Sequence, residues 1–194
     1  KILSLQVEKY EQGLTGKLFK KVNLSSENKL NFEVKEFFLP FPRLDMRLGW
    51  AATENSRRAH YLEIIDDKIL LISGLGQTIF FNKKNINSNS LNQENLPNNL
   101  KFILEKNNRE LIGIRDLFVE DGYVYISLQH KDSKGFTINI YRAKLNYEKL
   151  EFFLFFKTNE YWENYNVFSG GRIETYKNNK ILFSIGFSGK KKVS

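Results

Sequence analysis

The chain has 194 residues, of which 41% are hydrophobic and 14% aromatic, and it carries a formal net charge of +8. This composition excludes a disordered or collagen-like chain, because so many aromatic rings bury enough apolar surface to support a core. Cysteine is absent, which excludes a disulfide framework, a thiolate metal site and a cysteine nucleophile. No apolar run approaches the roughly 20 residues that span a bilayer, so we predict a soluble folded module without a transmembrane segment.

Residues 1–57 form an N-terminal segment that is less regular than the rest of the chain. It begins at Lys1 without a signal-like basic and apolar region, which indicates that a leader was removed or that the chain is a piece of a longer one. The clearest element of this segment is a strand predicted over Asn31–Leu39, a stretch rich in Phe, Val and Leu.

Beyond residue 57 the sequence repeats itself. Each repeat begins with a short strand, and these strands are predicted at Tyr61–Ile65, Arg115–Val119 and Arg172–Tyr176. A polar turn and a second strand that ends in serine follow in each repeat, within Asp66–Ser73, Glu120–Ser127 and Lys177–Ser184. A strand, a turn of Asp, Gly or Asn residues and a second strand indicate a β-hairpin. The sequence therefore predicts three hairpins at similar spacing.

Two more strands follow each of the first two hairpins. They are predicted at Thr78–Phe81, Lys101–Leu104, Thr137–Ala143 and Leu150–Phe156. Regions 83–99 and 157–169 are predicted as loops, and no stretch shows a convincing 3.6-residue apolar period of a helix. Two apolar runs without polar alternation, Ile69–Ile72 and Phe152–Phe156, are expected to be covered on both faces of their sheets.

Recurring four-stranded units are typical of a β-propeller, in which blades pack face to face around a channel. We therefore predict an all-β chain that is part of a β-propeller, with four-stranded antiparallel blades over residues 58–187 and a basic tail over 188–194. About three blades are present, whereas a propeller needs about four to eight. The ring is thus expected to be incomplete, with the remaining blades in a longer chain and Asn31–Leu39 as a possible closing strand. A plain antiparallel sandwich is the alternative.

The stretch Ser169–Gly186 resembles a blade of the soluble quinoprotein glucose/sorbosone dehydrogenases. It places Gly-Gly-Arg before a strand, a turn and a second strand, as that six-bladed family does. The resemblance implies a pyrroloquinoline quinone site with calcium at the channel mouth, and oxidation of sugars or alcohols in a periplasmic or extracellular compartment. This chain has Phe168 at the place of the family's catalytic histidine, and Phe187 replaces the aspartate of its Gly-Asp pair. No catalytic residue is assigned, because phenylalanine cannot accept a proton from a sugar hydroxyl.

Four polar residues near the starts of the first strands are the candidate ligand-binding residues. They are His60, Arg115, Asp116 and Arg172. The innermost strand of a propeller blade begins beside the channel, so these side chains are expected to converge on one axis and to bind an anionic or hydroxylated ligand. The structural alternative is that the two arginines form salt bridges or cap strand ends, with Asp116 as a partner.

No functional role is predicted for the other histidine or for the basic run of the chain. His130 falls in a predicted polar loop, Gln129–Gly135, and is expected to be solvated. Because it is also far from His60 in the repeat, no metal site is predicted. The only basic run, Lys190–Lys192, is too short for a phosphate-binding surface, so nucleic acid is not expected as a partner.

The sequence thus favours a propeller scaffold of the sugar-dehydrogenase type that binds a small molecule or a protein, with no catalytic base visible in the chain. The alternative is a pyrroloquinoline quinone-dependent sugar or alcohol oxidoreductase whose cofactor site is completed by blades outside this chain. The quinone and calcium are expected as cofactors only in that second case.

Overall fold

The computed structural model describes residues 18–25, 31–37, 39, 60–88, 90–163, 170–177 and 180–186. Most of these residues lie in strands: β1 (Leu18–Ser25), β2 (Asn31–Phe37), β3 (His60–Ile65), β4 (Lys68–Ser73), β5 (Thr78–Asn82), β6 (Glu94–Asn95), β7 (Glu110–Glu120), β8 (Tyr123–Asp132), β9 (Gly135–Lys144), β10 (Phe153–Lys157), β11 (Gly170–Tyr176) and β12 (Lys180–Ile185). A 3₁₀ turn spans Lys83–Asn87 and a short α-helix, α1, spans Leu100–Lys106. The predicted basic tail, Phe168 and Phe187 lie outside the described residues.

The strands form two open four-stranded antiparallel sheets and two hairpins. In the first meander, the strand order is β3-β4-β5-β6, and in the second meander it is β7-β8-β9-β10. The hairpins are β1–β2 and β11–β12. Each strand of a meander therefore pairs with its neighbours in sequence, as the repeat predicted. The all-β prediction is confirmed at this level, apart from the short helix.

Local turn chemistry explains why the hairpins form where the sequence predicted them. Asp121 and Gly122 join β7 to β8 with φ angles of 49° and 74°. Two successive positive φ angles belong to the tight turns whose twist matches that of paired strands, and Asp-Gly is a favoured pair for them. In the β3–β4 turn, Asp66 also has a positive φ, of 51°, which Asp tolerates better than most residues.

Three apolar clusters join the sheets and hairpins into a stack of four layers. The central cluster lies between the two meanders and includes Leu70 and Ile72 from the first and Ile126 and Leu128 from the second, all fully buried. On the other side of the first meander, a cluster of five buried residues packs against Phe37 and Leu39. On the other side of the second meander, Tyr125 and Ile140 pack with Ile173 of β11.

The fourth strand of the first meander was predicted at the wrong place. Lys101–Leu104 lies in α1 rather than in a strand, and β6 occupies Glu94–Asn95, within a region predicted as a loop. Leu100 and Leu104 are buried one helical turn apart, whereas Phe102 is 65% exposed. This is a helical pattern, but a seven-residue helix is too short for its apolar period to stand out in the sequence. None of the helices in the described ranges is long and apolar enough to cross a membrane.

The two apolar runs have different environments. Ile69–Ile72 is buried along its whole length in β4, as expected for an inner strand covered on both faces. The expectation for Phe152–Phe156 is wrong except at Phe152, since the four residues from Phe153 to Phe156 are 40–48% exposed. They belong to β10, which is the edge strand of the second meander.

Candidate functional site

The first strands of the three repeats lie next to one another. β7 contacts β3 on one side and β11 on the other. Each meander begins at this place, and its later strands follow in order away from it. Residues at equivalent positions of the repeats are therefore brought into one neighbourhood, although they lie more than 50 positions apart in the sequence.

A cleft of about 240 Å³ opens where β3, β7 and β11 meet. Three of the four predicted site residues line it, namely His60, Asp116 and Arg172. Two further charged residues of the lining, Glu63 and Glu174, were not singled out from the sequence. Both lie on first strands of the repeats, three and two residues after predicted site residues. Their positions in the repeat would therefore have been enough to predict them.

Asp116 joins two of these strands. Its side chain is only 5% exposed, and Oδ2 accepts a hydrogen bond of 2.7 Å from the backbone N–H of Ile173 in β11. Oδ1 lies 3.3 Å from Nη1 of Arg172, whose own side chain is 74% exposed. Burial is the main cause that raises the pKa of Asp116, while the Ile173 N–H and the Arg172 guanidinium act in the opposite direction. The structural alternative, in which Asp116 forms a salt bridge with an arginine, is thus what the structure shows for Arg172.

Arg115 is not brought into the lining of the cleft. A β-bulge between Ile114 and Asp116 shifts the register of β7 against β8, and a bulge changes the direction of the side chains that follow it. The Arg115 guanidinium donates to Oε1 of Gln129 on β8, with an Nε distance of 2.8 Å. Three of the four candidate residues therefore line one cleft, and Arg115 does not line it.

Gly171 allows β11 to approach β7 closely. Its φ angle is +98°, and a Cβ atom at this position would lie 2.5 Å from Cβ of Arg115. The carbonyl of Gly171 also accepts a hydrogen bond from the hydroxyl of Ser127 on β8. A residue with a side chain would collide here, so the glycine sets the distance between the hairpin and the second meander.

The cleft contains more acidic than basic side chains. Glu63, Asp116 and Glu174 face one arginine, Arg172, which is already engaged with Asp116. The pKa of Glu63 is raised first by burial and then by the neighbouring carboxylates of Asp116 and Glu174. Such a cleft repels an anion, because adding negative charge would increase the repulsion that these groups already experience.

The cofactors implied by the family resemblance do not fit these residues. Pyrroloquinoline quinone carries three carboxylates and needs several converging cations, whereas among the described residues Arg172 is the one Lys or Arg in the cleft lining, and Arg115 is directed at Gln129. For calcium, no group of three or more His, Asp or Glu side chains that could hold a metal ion occurs within the described part of the chain.

The prediction that His130 is solvated is wrong. It lies on β8, on the same face as Ile126 and Leu128, and is 0% exposed. Its Nε2 lies 2.8 Å from Nδ2 of Asn139. The polar run at the end of β8 resembles a loop in its composition, but β8 continues through Asp132.

The neighbours of His130 determine its tautomer. Asn139 accepts the backbone N–H of Thr158 with Oδ1, so its Nδ2 is left to donate to Nε2 of His130, and the ring proton must be on Nδ1. That Nδ1 atom is buried without a hydrogen-bond partner among the described residues. Burial lowers the pKa of His130 to about 4, so the ring is neutral at pH 7.

Comparisons with known proteins give no relative for this chain. No family model matches it, no curated protein matches it with significant similarity, and no solved structure does so either.

Proposed function

We propose that this chain is part of a β-propeller scaffold of the kind its sequence resembles, and that it binds a ligand in the cleft between β3, β7 and β11 without catalysing a reaction there. The observation that carries the proposal is the meeting of three equivalent first strands, which places His60, Asp116 and Arg172 around one cleft. Blades of a propeller have this relation to a central channel.

Exposed apolar residues on β3 and β12 support the propeller. Leu62 and Ile64 of β3 are 52% and 54% exposed, and Leu182 and Ile185 of β12 are 54% and 38% exposed. In a propeller these sheet faces are covered by the adjacent blades. We therefore propose further blades as the partners of these faces, supplied by a longer chain.

The charge of the cleft indicates which ligands it suits. Three carboxylates and one paired arginine favour an uncharged hydroxylated molecule or a cation over an anion. The acceptors of Glu63 and Glu174, which are less buried than Asp116, can bind hydroxyl or ammonium groups. Asp116 is occupied by the Ile173 N–H and Arg172, and we assign it a positioning role.

A set of three related sugars tests this proposal. Glucosamine, glucose and gluconate are similar in size and differ in charge, and each is titrated into the isotope-labelled protein while amide chemical shifts are followed. We expect shifts at β3 and β11 that are largest for glucosamine and absent for gluconate. The variant E63Q is expected to weaken glucosamine binding about threefold to tenfold, corresponding to loss of one partly exposed charge contact of about 1 kcal/mol. Glu105→Gln on α1 is the matched control and should bind as the unchanged protein does.

Two outcomes would contradict the proposal. Preferential binding of gluconate would show that the charge argument is wrong. Reduction of a dye by glucose after addition of pyrroloquinoline quinone and calcium would show that the chain is a catalyst and not a binding scaffold.

A further inference from the structure

A second and larger cavity lies away from the cleft. Its volume is about 680 Å³, within the range of roughly 300–1,000 Å³ that is typical of small-molecule sites. It is bounded by the segment that leads into β5, the segment between β6 and α1, α1 itself and the start of β7. It shares no lining residue with the cleft between β3, β7 and β11.

The inner wall of this cavity is apolar. Six aliphatic side chains supply it, namely Leu75, Ile79, Leu96, Leu100, Leu104 and Leu111. Leu96, Leu100 and Leu104 are also members of the central core cluster and are 2–3% exposed. A ligand with an apolar body would therefore rest against the core of the protein and gain free energy from the area it removes from water.

Hydrogen bonds within the protein hold the cavity wall in place. The Nδ2 of Asn98 donates to the carbonyl of Gly76 and to Oγ1 of Thr78, both at 2.7 Å. Its Oδ1 accepts the backbone N–H of Leu100 at the start of α1, at 3.1 Å. One side chain thus holds the turn before β5 against the helix. A site that is formed in advance loses less free energy to ordering when a ligand binds.

Two charges at the cavity rim compensate each other. Lys101 and Glu105 form an i,i+4 ion pair on α1, with an Nζ–Oε1 distance of 3.8 Å. Glu110 stands opposite Lys131 in the register of β7 and β8, where opposite charges on neighbouring strands attract each other, but the two side chains do not form an ion pair among those of the described residues. The Lys101–Glu105 pair leaves no net charge for a ligand to neutralise.

Arg109 is a cation of this rim whose hydrogen-bond partner is a hydroxyl group. Its Nη1 donates to the hydroxyl of Tyr141 at 3.1 Å, and no carboxylate of the described residues lies within ion-pair distance of it. The ring of Tyr141 is 1% exposed, so this bond anchors the guanidinium to a rigid part of the core. The other N–H groups of Arg109 have the fork geometry that suits a carboxylate.

We propose that this cavity binds a small monoanionic molecule with an apolar body, whose carboxylate pairs with Arg109 and whose apolar part packs against Leu96, Leu100 and Leu104. This site is independent of the cleft and of the function proposed for it.

Calorimetric titration with 4-phenylbutyrate and with its uncharged amide, 4-phenylbutanamide, tests the proposal. We expect the anion to bind about tenfold more tightly than the amide, which corresponds to about 1.4 kcal/mol, because a hydrogen bond to a charged group is stronger than one to a neutral group. Arg109→Gln should remove this preference by weakening phenylbutyrate binding about tenfold, and it should leave the binding of the amide unchanged. Lys106→Gln is the matched control, since it removes a cation of α1 that does not line the cavity, and it should bind both probes as the unchanged protein does.

A second variant keeps the test decisive if Arg109→Gln reduces folding. Leu75 is half-buried at the cavity, so Leu75→Trp places an indole in the open space without removing a core side chain. It should abolish binding of both probes while the melting temperature stays within a few degrees. Equal affinity for the anion and the amide, no effect of Leu75→Trp, or chemical-shift changes confined to the exposed phenylalanines of β10 would each overturn the proposal.

Discussion

The two faces of the second meander are joined to their neighbours in different ways. The face toward the first meander is mainly apolar, and Ile114, Ile126 and Leu128 on it are 0% exposed. The face toward the β11–β12 hairpin carries Asp116 and Ser127, which are tied to the backbone of β11 by hydrogen bonds.

The two contacts contribute differently to the stability of the protein and to the position of the β11–β12 hairpin. Apolar burial stabilises an interface in proportion to area and is non-directional. The contact between the two meanders relies mainly on such burial, beside a backbone hydrogen bond from the N–H of Ile114 to the carbonyl of Gly74. Hydrogen bonds require alignment, so the contact with β11 fixes the hairpin at one distance and one register. The cleft includes residues of β11 that these hydrogen bonds hold in place, which suits a binding site. Four substitutions or changes of condition test this contrast, from the largest expected effect to the smallest.

Leu128→Ala should have the largest effect because it removes a fully buried side chain from the interface between the meanders. We expect a loss of about 2–5 kcal/mol in the free energy of unfolding, from lost burial and from the cavity left behind. Urea unfolding followed by circular dichroism measures it. Leu182→Ala on β12, where the leucine is 54% exposed, is the matched control and should cost less than about 1 kcal/mol. Equal losses in the two variants would show that the meander interface does not dominate stability.

Gly171→Ala should distort the contact between β7 and β11. A positive φ costs a residue with a Cβ about 1–2 kcal/mol, and the collision with Cβ of Arg115 adds about 1–3 kcal/mol of overpacking. Gly122→Ala has a similar φ, of +74°, with no atom within 4 Å of the added Cβ, so it should show only the conformational part. Thermal unfolding of both variants compares them, and a smaller loss for Gly171→Ala would contradict the close approach.

His130 should make the apolar side of the second meander sensitive to acid. Its pKa is lowered from 6.5 in the unfolded chain to about 4 in the folded protein, so the unfolded state binds more protons between these values. Stability is therefore present above pH 6.5 and is lost as the pH falls toward 4, by about 3 kcal/mol at most.

The groups around His130 include both signs of charge. Arg109 and Lys157 lower the pKa of His130 as burial does, and Asp132 raises it. Urea unfolding at pH 7, 5.5 and 4.5 should show a decline that is shallower in His130→Gln and unchanged in His60→Gln. If the decline is the same in His130→Gln as in the unchanged protein, His130 is not its source.

Asp116→Ala should have the smallest effect of the four. It leaves the buried N–H of Ile173 without its acceptor, which costs about 1–3 kcal/mol. Asp116→Asn keeps an acceptor oxygen and should recover part of this loss. Arg172→Ala is expected to cost less than about 1 kcal/mol, because that side chain is largely exposed and solvent screens its charge. Chemical denaturation ranks the three variants, and a larger loss for Arg172→Ala than for Asp116→Ala would reverse the roles assigned to them.

Much of the strand order could be predicted because its signals are local. The Asp121-Gly122 turn and the apolar runs on each side of it define a hairpin without reference to any other part of the chain. The repeat likewise predicted that His60 and Arg172 lie at neighbouring positions near the starts of the first strands, and both line the cleft.

The remaining features depend on contacts that are distant in sequence. The bulge at Arg115 changes which side chain of an adjacent pair reaches the cleft, and no turn residue marks it in the sequence. The exposure of Phe153 and the burial of His130 depend on which strand lies at a sheet edge and which lies inside. These are properties of the assembled layers and not of the local residue pattern.

The pairing of each strand with its predecessor has a consequence for synthesis on the ribosome. All four strands of the first meander have left the ribosome once Asn95 has emerged, so they can form their backbone hydrogen bonds while the second meander is still being translated. Until the second meander has been made, the aliphatic surface around Leu70 and Ile72 faces water. Nascent chains arrested after residue 95 should consequently recruit chaperones more strongly than chains arrested after Lys157.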